Sequence, residues 1–110
     1  MYLPNAENAV VDIRKLRDYC LNPKHEVGKH KARLFASALG LSSEDAILLK
    51  KALLDAVKTN DAVLGVANEF GQRYVVDFKC GHANKRAQLR SVWIVDTDAE
   101  IPRLITCLVL

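Results

Sequence analysis

The chain has 110 residues, of which 50% are hydrophobic and 26% are charged. This length allows one hydrophobic core but is short for two, and the composition is too apolar for an intrinsically disordered protein. The formal net charge of +3 permits an anionic partner without requiring one. We therefore expect a single domain over residues 1–110.

Two amphipathic helices are predicted in the first part of the chain. Asp12 is placed to cap the first helix, which ends before Pro23 because a residue that precedes proline is pushed out of the helical region. The apolar face of this helix holds Ile13, Leu16 and Cys20. The second helix is predicted at 29–39, and Gly40 after it is a typical helix stop.

A third helix and four strands are predicted in the rest of the chain. Ser42 and Asp45 form a capping-box pattern that opens a helix ending near Lys58. Apolar residues then alternate, which predicts strands at 62–67, 73–79, 86–95 and 103–109. The short connections indicate an antiparallel meander. We expect an α+β fold in which three N-terminal helices pack on one face of a four-stranded antiparallel sheet and leave the other face free for a ligand.

The sequence has no feature of an exported or membrane protein. Its start, from Met1 to Asn8, lacks the basic region and apolar run of a secretory signal, and no apolar stretch approaches the roughly 20 residues that cross a bilayer. Cys20, Cys80 and Cys107 are odd in number and form no CxxC pair. We expect a cytoplasmic protein with reduced thiols and no membrane partner.

The strongest functional candidate is residues 23–35, which we call the basic segment. Four Lys or Arg side chains and two histidines stand there against a single acid, at a helix start where the helix dipole normally favours acidic side chains. A bound phosphate would relieve this conflict. The catalytic candidates are His25 and Lys31, and the substrate-binding candidates are Lys24, Lys29, His30 and Arg33. The alternative is a solvated basic surface.

A second candidate lies in the third strand, where Ser91 and Trp93 point the same way because strand side chains alternate. With the next turn centred near residues 97–98, Ser91 faces Thr106 of the fourth strand. The two hydroxyls would hold a phosphate oxygen, and Trp93 would stack on a base. In the alternative interpretation the hydroxyls form an ordinary cross-strand pair and Trp93 lies in the core under the helices.

More cations surround the turn between the second and third strands, namely Lys79, His82, Lys85, Arg86 and Arg90. Such a group either extends a phosphate-binding surface, with Arg90 as a substrate-binding candidate, or protects a sheet edge against aggregation. Cys80 and His82 are two metal ligands without the rest of a set. We therefore expect no metal and no cofactor.

Motifs along nearly the whole chain carry a family resemblance. They are Leu3-Pro4-Asn5-Ala6, Lys15-Leu16-Arg17-Asp18-Tyr19, Asn22-Pro23-Lys24-His25-Glu26-Val27-Gly28-Lys29, Lys31-Ala32-Arg33, Val92-Trp93-Ile94-Val95 and Pro102-Arg103-Leu104. In these motifs the chain resembles the DUF6883-like domains, a small uncharacterised bacterial family.

The predicted architecture is also remotely similar to the bacterial ribonuclease toxins that include barnase-like, RelE-like and colicin D-like domains. In colicin D-like members a Lys/His pair near a helix start faces a Ser-x-Trp strand, which is similar to Lys24-His25 or His30-Lys31 facing Ser91-Val92-Trp93 here. This resemblance implies a metal-independent endoribonuclease that acts on tRNA or another RNA. It also implies a cognate antitoxin or immunity protein as partner.

Under this first hypothesis, RNA cleavage needs a base for the 2′-hydroxyl, an acid for the leaving oxygen and cations around the phosphate. His25 would be the base or the acid. Lys31 and Arg103 would hold the phosphate. Ser91 and Thr106 would orient it.

The second hypothesis is a non-catalytic module that binds a protein or a nucleic acid through the open sheet face or the last strand. The apolar chain end, residues 105–110, then pairs with another chain, as in a homodimer, or lies in the core. A small-molecule or metal enzyme has the least support, because the sequence has no phosphate-binding glycine loop and no nucleophile motif.

Overall fold

The computed structural model describes residues 1–110, in which a helical first half precedes a sheet. After a 3₁₀ turn at Ala6–Asn8, the helices are α1 (Ile13–Lys15, continued by a π turn at Leu16–Cys20), α2 (Lys29–Leu39) and α3 (Ala46–Thr59, preceded by a 3₁₀ turn at Ser43–Asp45). The strands are β1 (Ala62–Asn68), β2 (Gly71–His82), β3 (Lys85–Asp96) and β4 (Arg103–Val109). They form one antiparallel sheet in the order β1-β2-β3-β4, which confirms the predicted α+β fold.

Local side-chain signals define the helix ends as predicted. The Asp12 carboxylate accepts the backbone N–H of Arg14 at 3.0 Å at the start of α1, and Ser42 and Asp45 form the reciprocal capping box before α3. Gly40 ends α2 in the left-handed region, at a φ of 67°. None of the helices is both long enough and apolar enough to cross a membrane.

The connection between β2 and β3 is shorter than predicted. Residues 80–82, which the sequence indicated as a turn, continue β2, and only Ala83 and Asn84 lie between the strands. Ala83 has a φ of 54°, and positive φ values in a two-residue loop match the twist of an antiparallel hairpin. The strands on both sides are therefore longer than the alternating pattern alone suggested.

The pairing of β3 with β4 is irregular between Val92 and Trp93. Thr106 lies opposite Val92, and Ser91 lies opposite Cys107. The predicted pairing of Ser91 with Thr106 is therefore wrong. The reason is that a bulge adds one residue to β4, and a shift of one residue moves a strand side chain to the other face.

A cluster of 23 buried residues joins the helices to one face of the sheet. The sheet contributes Tyr74, Val76, Phe78, Leu89 and Trp93, among others. The buried stripe of α3 is the predicted one, Ala46, Leu49, Leu53, Ala56 and Val57. Each large side chain buried in this way stabilises the fold by about 1.5–3 kcal/mol. That the whole chain folds as a single autonomous domain stays a prediction.

The β4 edge of the sheet is packed against other elements, whereas the β1 edge is exposed to solvent. At β4, Val10 forms a parallel bridge with Arg103, and the π turn and α2 pack against the strand. At β1, every residue after Ala62 is exposed. The apolar side chains left in solvent there are Val63, Leu64 and Val66, with exposed fractions of 65%, 59% and 63%. An open edge of this kind is a template for another strand.

Candidate functional site

The π turn at Leu16–Cys20 brings the end of α1 against the start of α2. Its wide hydrogen bond joins the Leu21 amide to the Leu16 carbonyl at 2.9 Å, and such turns are frequent at functional sites. Tyr19 leaves this turn half-buried and meets Gly28, which directly precedes α2. A Cβ atom at position 28 would lie 2.9 Å from Cδ1 of Tyr19 and would overlap the Tyr19 carbonyl. Glycine therefore permits the close approach of the two elements.

His25 organises the loop before α2 through one ring nitrogen. Its Nδ1 accepts the backbone N–H of Val27 at 3.1 Å and that of Gly28 at 2.9 Å. Because these bonds use the Nδ1 lone pair, the ring proton lies on Nε2. The ring stands edge-on to Tyr19, with 4.9 Å between the ring centroids and 88° between the planes. In this arrangement Nε2–H can donate a hydrogen bond to a ligand.

The Lys31 ammonium lies at the centre of the site. It donates to the Tyr19 hydroxyl at 2.9 Å and to Thr106 Oγ1 at 3.2 Å. It also lies 4.8 Å from the centroid of the Tyr19 ring, within cation–π range. Cys20 Sγ is 3.8 Å from the same threonine oxygen. We call these four side chains, together with His25, the Lys31 cluster.

No carboxylate neutralises the Lys31 cluster. The five ion pairs of the molecule join the N-terminus, Arg14, Arg17, Arg90 and Arg103 to aspartates. None of them includes a residue of the basic segment. A half-buried ammonium without a counter-ion attracts an anion more strongly than an exposed one, because its surroundings screen charge less well than bulk water.

The other cations of the basic segment lie elsewhere on its surface. Lys29 and Arg33, four residues apart, share one face of α2 and line a small cavity of about 240 Å³. Lys31 projects to the far side of the helix, because each helical residue turns by about 100°. Lys24 and His30 are exposed. The six basic side chains therefore do not converge on one anion, and only the two catalytic candidates of the segment join the Lys31 cluster.

Ser91 and Trp93 lie in the core and not on an open face, and each has an exposed fraction of 0%. Ser91 Oγ donates to the Val76 carbonyl at 2.8 Å and accepts Nε1–H of Trp93 at 2.9 Å. These bonds satisfy both polar side chains within the protein. The predicted arrangement, in which Ser91-Val92-Trp93 faces the basic segment from a sheet face that is free for a ligand, is wrong. Phe35 and Leu39 of α2 belong to the same buried core as Trp93. Neither residue presents surface to a ligand in this structure.

Arg103 and Arg90 are held in two-pronged ion pairs. Arg103 binds the two carboxylate oxygens of Asp96 at 2.7 and 2.9 Å, and Arg90 binds those of Asp77 at 2.9 Å each. Through these hydrogen bonds the guanidinium groups lower the pKa of Asp96 and of Asp77. Arg103 opens β4 roughly 10 Å along the strand from Thr106. The structure therefore leaves both arginines outside the Lys31 cluster.

His82 and Lys85 hold the C-terminal end of α2. His82 Nδ1 lies 2.8 Å from the Leu39 carbonyl oxygen, and Lys85 Nζ donates to the Ser37 carbonyl at 3.1 Å. Basic side chains at this end of a helix satisfy free carbonyls and complement the helix dipole. Both residues thus have a structural role that was not considered from the sequence. No three His, Cys, Asp or Glu side chains come together in the structure as a metal site.

Tyr19 and Cys20 are the members of the Lys31 cluster that were not identified as functional from the sequence. The helical pattern places both on or beside the apolar stripe of α1. Tyr19 reaches Lys31 because α1 widens into the π turn, which no residue pattern signals. The one available sign is that a tyrosine at the margin of an apolar stripe normally finds a polar partner for its hydroxyl.

Comparison with known proteins identifies both a family and a fold. The model of the family described as "Domain of unknown function (DUF6883)" matches residues 2–110. No curated protein matches the chain. Among solved structures, the chain is similar to one chain of the "Contact-dependent growth inhibition toxin - immunity protein complex from Klebsiella pneumoniae 342", with a TM-score of 0.72 and 21% identity, over 92% of this chain and 99% of that chain. Identity at this level shows a shared fold only.

Proposed function

The chain belongs to the DUF6883 family, and we propose that it is a toxin-like endoribonuclease that cleaves tRNA or another RNA without a metal ion. The proposal rests on the half-buried Lys31 ammonium, which has no carboxylate partner and donates to the hydroxyls of Tyr19 and Thr106. The imidazole of His25 contacts the ring of the same tyrosine. The fold shared with a chain of a toxin–immunity protein complex supports it. A cognate antitoxin or immunity protein is then the expected partner.

The Lys31 cluster supplies what a phosphodiester needs during cleavage. Its non-bridging oxygens bind to the ammonium of Lys31, the hydroxyl of Thr106 and Nε2–H of His25. These groups stabilise the negative charge that grows on the oxygens as the ribose 2′-oxygen attacks phosphorus. The bond from phosphorus to the 2′-oxygen forms and the bond to the 5′-oxygen breaks, which leaves a 2′,3′-cyclic phosphate and a 5′-hydroxyl.

Tyr19 is the proton donor in this proposal. Lys31 donates to the phenolic oxygen, so the hydroxyl hydrogen of Tyr19 is free to pass to the leaving 5′-oxygen. The phenolate that results lies beside the Lys31 ammonium and is reprotonated from water. The proton of the 2′-hydroxyl passes to solvent hydroxide, because Nδ1 of His25 is engaged with two amides. His25 therefore acts as a hydrogen-bond donor here, and not as the base or acid first assigned to it.

Substitution of His25 by asparagine or by glutamine tests the roles of its two ring nitrogens separately. His25→Asn keeps an acceptor near Nδ1 for the two loop amides, so we expect its stability to match the wild type and its RNA cleavage to fall about tenfold, the loss of one hydrogen bond to a charged group. His25→Gln keeps a donor near Nε2 and leaves the amides unpaired, so we expect residual cleavage and a stability loss of about 1 kcal/mol. Denaturant unfolding and cleavage of tRNA in the presence of EDTA measure the two effects.

Two outcomes of this experiment contradict the proposal at different levels. If His25→Asn cleaves RNA as fast as the wild type, Nε2 has no part in the mechanism, although the ribonuclease function itself can still hold. Intact RNA after incubation with wild-type protein, at concentrations where binding is measured, rejects the ribonuclease function itself.

A protein-binding module is the second candidate, and the exposed edge of β1 favours it. An extended segment of an antitoxin or immunity protein, or β1 of a second copy, would add a strand there. The last strand is less free than the sequence suggested, because Val10 and Lys31 contact it. Intact RNA together with a dimer in size-exclusion chromatography with light scattering would favour the homodimer version over the nuclease.

A further inference from the structure

A groove between α1 and α3 shares no residue with the Lys31 cluster. It is open to solvent and has a volume of about 590 Å³, and its apolar lining consists of Ile13, Ile47 and Leu54. Ile47 has an exposed fraction of 78%, the largest among the big apolar side chains of the molecule. Ile47 and Leu54 are two helical turns apart, on a flank of α3 outside its buried stripe. The groove therefore holds apolar surface that no part of the chain covers.

The rim of this groove is basic. Lys50, Lys51 and Lys58 line it, against a single acid, Asp55. None of these four side chains takes part in an ion pair. Three cations against one carboxylate leave an excess of positive charge along an apolar floor, which attracts carboxylates and apolar side chains together.

We propose that this groove between α1 and α3 binds an amphipathic helical segment of a partner protein, with apolar side chains along one face and Asp or Glu on both flanks. Its apolar face covers Ile47 and Leu54, while its carboxylates meet Lys51 and Lys58. This binding does not depend on the ribonuclease function, because the groove and the Lys31 cluster have no residue in common.

The shape and chemistry of the groove favour a protein helix over the other anionic partners. RNA offers phosphates for the lysines but little that is apolar for Ile47 and Leu54. A membrane surface is planar, whereas both α3 and Ile13 of α1 line this groove. A helix laid into a concave apolar groove with complementary charges is a common mode of peptide recognition.

Two synthetic peptides test the proposal on the full chain. Each has the length of α3, 14 residues, and a leucine stripe at helical spacing; one carries Glu on both flanks of the stripe and the other carries Lys. We expect the acidic peptide to bind about tenfold more tightly than the basic one. In NMR spectra of the protein, the shift changes should centre on Ile13, Ile47 and Leu54.

Variants at exposed positions of α3 test whether the peptide binds in the groove or elsewhere on the helix surface. We expect Ile47→Ser to weaken binding of the acidic peptide about fivefold to tenfold, and Leu48→Ser, one position away on a different side of α3 and 41% exposed, to leave it unchanged. Lys51→Glu with Lys58→Glu should reverse the preference between the two peptides. Equal binding of both peptides, or no binding of the acidic peptide at concentrations near about 1 mM, would overturn the proposal. The same shift changes with an RNA oligonucleotide or with anionic vesicles instead of peptide would also overturn it.

Discussion

Replacement of Lys31 by methionine is expected to weaken RNA binding about tenfold to a hundredfold while the fold persists. A hydrogen bond from a charged group to a ligand contributes about 1.5–3 kcal/mol, and each 1.4 kcal/mol changes the affinity tenfold. Methionine keeps the apolar stem of Lys31 and removes the ammonium that contacts Tyr19 and Thr106. Fluorescence anisotropy with a labelled RNA, measured over a range of salt concentrations, gives the affinity.

Lys29→Met is the matched control for this experiment. It removes the same charge from the same helix, but Lys29 lines the small cavity on the far side of α2. We expect a loss of about threefold or less, the value for one exposed phosphate contact. If the two variants lose affinity equally, general attraction by the basic segment explains binding, and the Lys31 cluster has no special part in it.

Replacement of Ser91 by alanine is expected to reduce the free energy of unfolding by about 1–3 kcal/mol, because it leaves the indole N–H of Trp93 buried without an acceptor. The serine hydroxyl accepts that N–H at 2.9 Å inside the core. Trp93→Phe removes the donor, so adding Ser91→Ala to Trp93→Phe should cost less than Ser91→Ala alone. Denaturant unfolding of the two single variants and the double variant measures this coupling.

The same variants decide between the two interpretations of Ser91 and Trp93. A residue that orients the substrate would lose activity without losing stability. The structure leads us to expect the opposite for Ser91→Ala, namely lower stability and unchanged cleavage per folded molecule. Additive effects of the two substitutions on unfolding would contradict the buried hydrogen bond between them.

The boundaries that the sequence predicted best are those with a local cause. The bounds of α2, the capping box of Ser42 and Asp45, and the bounds of β4 each depend on residues within a few positions of one another. The pairing of β3 with β4 depends on a bulge next to Trp93, and no turn residue in the sequence signals it. Ser91 therefore faced the wrong partner in the sequence-based interpretation.

The candidate site was predicted only in part for a similar reason. The sequence groups His25 with Lys31 because they lie on either side of one helix start. It also groups Lys29 and Arg33 with them, although the helical rotation places these two residues on another face of α2. Thr106 joins the site through long-range packing of β4 against α2. Tyr19 joins through a π turn, whose extra residue per turn changes the direction of a side chain without leaving a mark in the apolar pattern.

The burial of all three thiols has a consequence for measurement. Cys20, Cys80 and Cys107 are buried and unpaired, and burial raises the pKa of the Cys80 and Cys107 thiols, that of Cys107 far above its ordinary value. Cys20 and Cys107 each have an exposed fraction of 0%, so a reagent alkylates these two thiols only when the chain around them opens. One cysteine lies in the π turn, one in β2 and one in β4. The native protein thus carries two thiol probes of local opening. The alkylation rate of Cys20 reports how often the segment that holds Tyr19 detaches from the strand that holds Thr106.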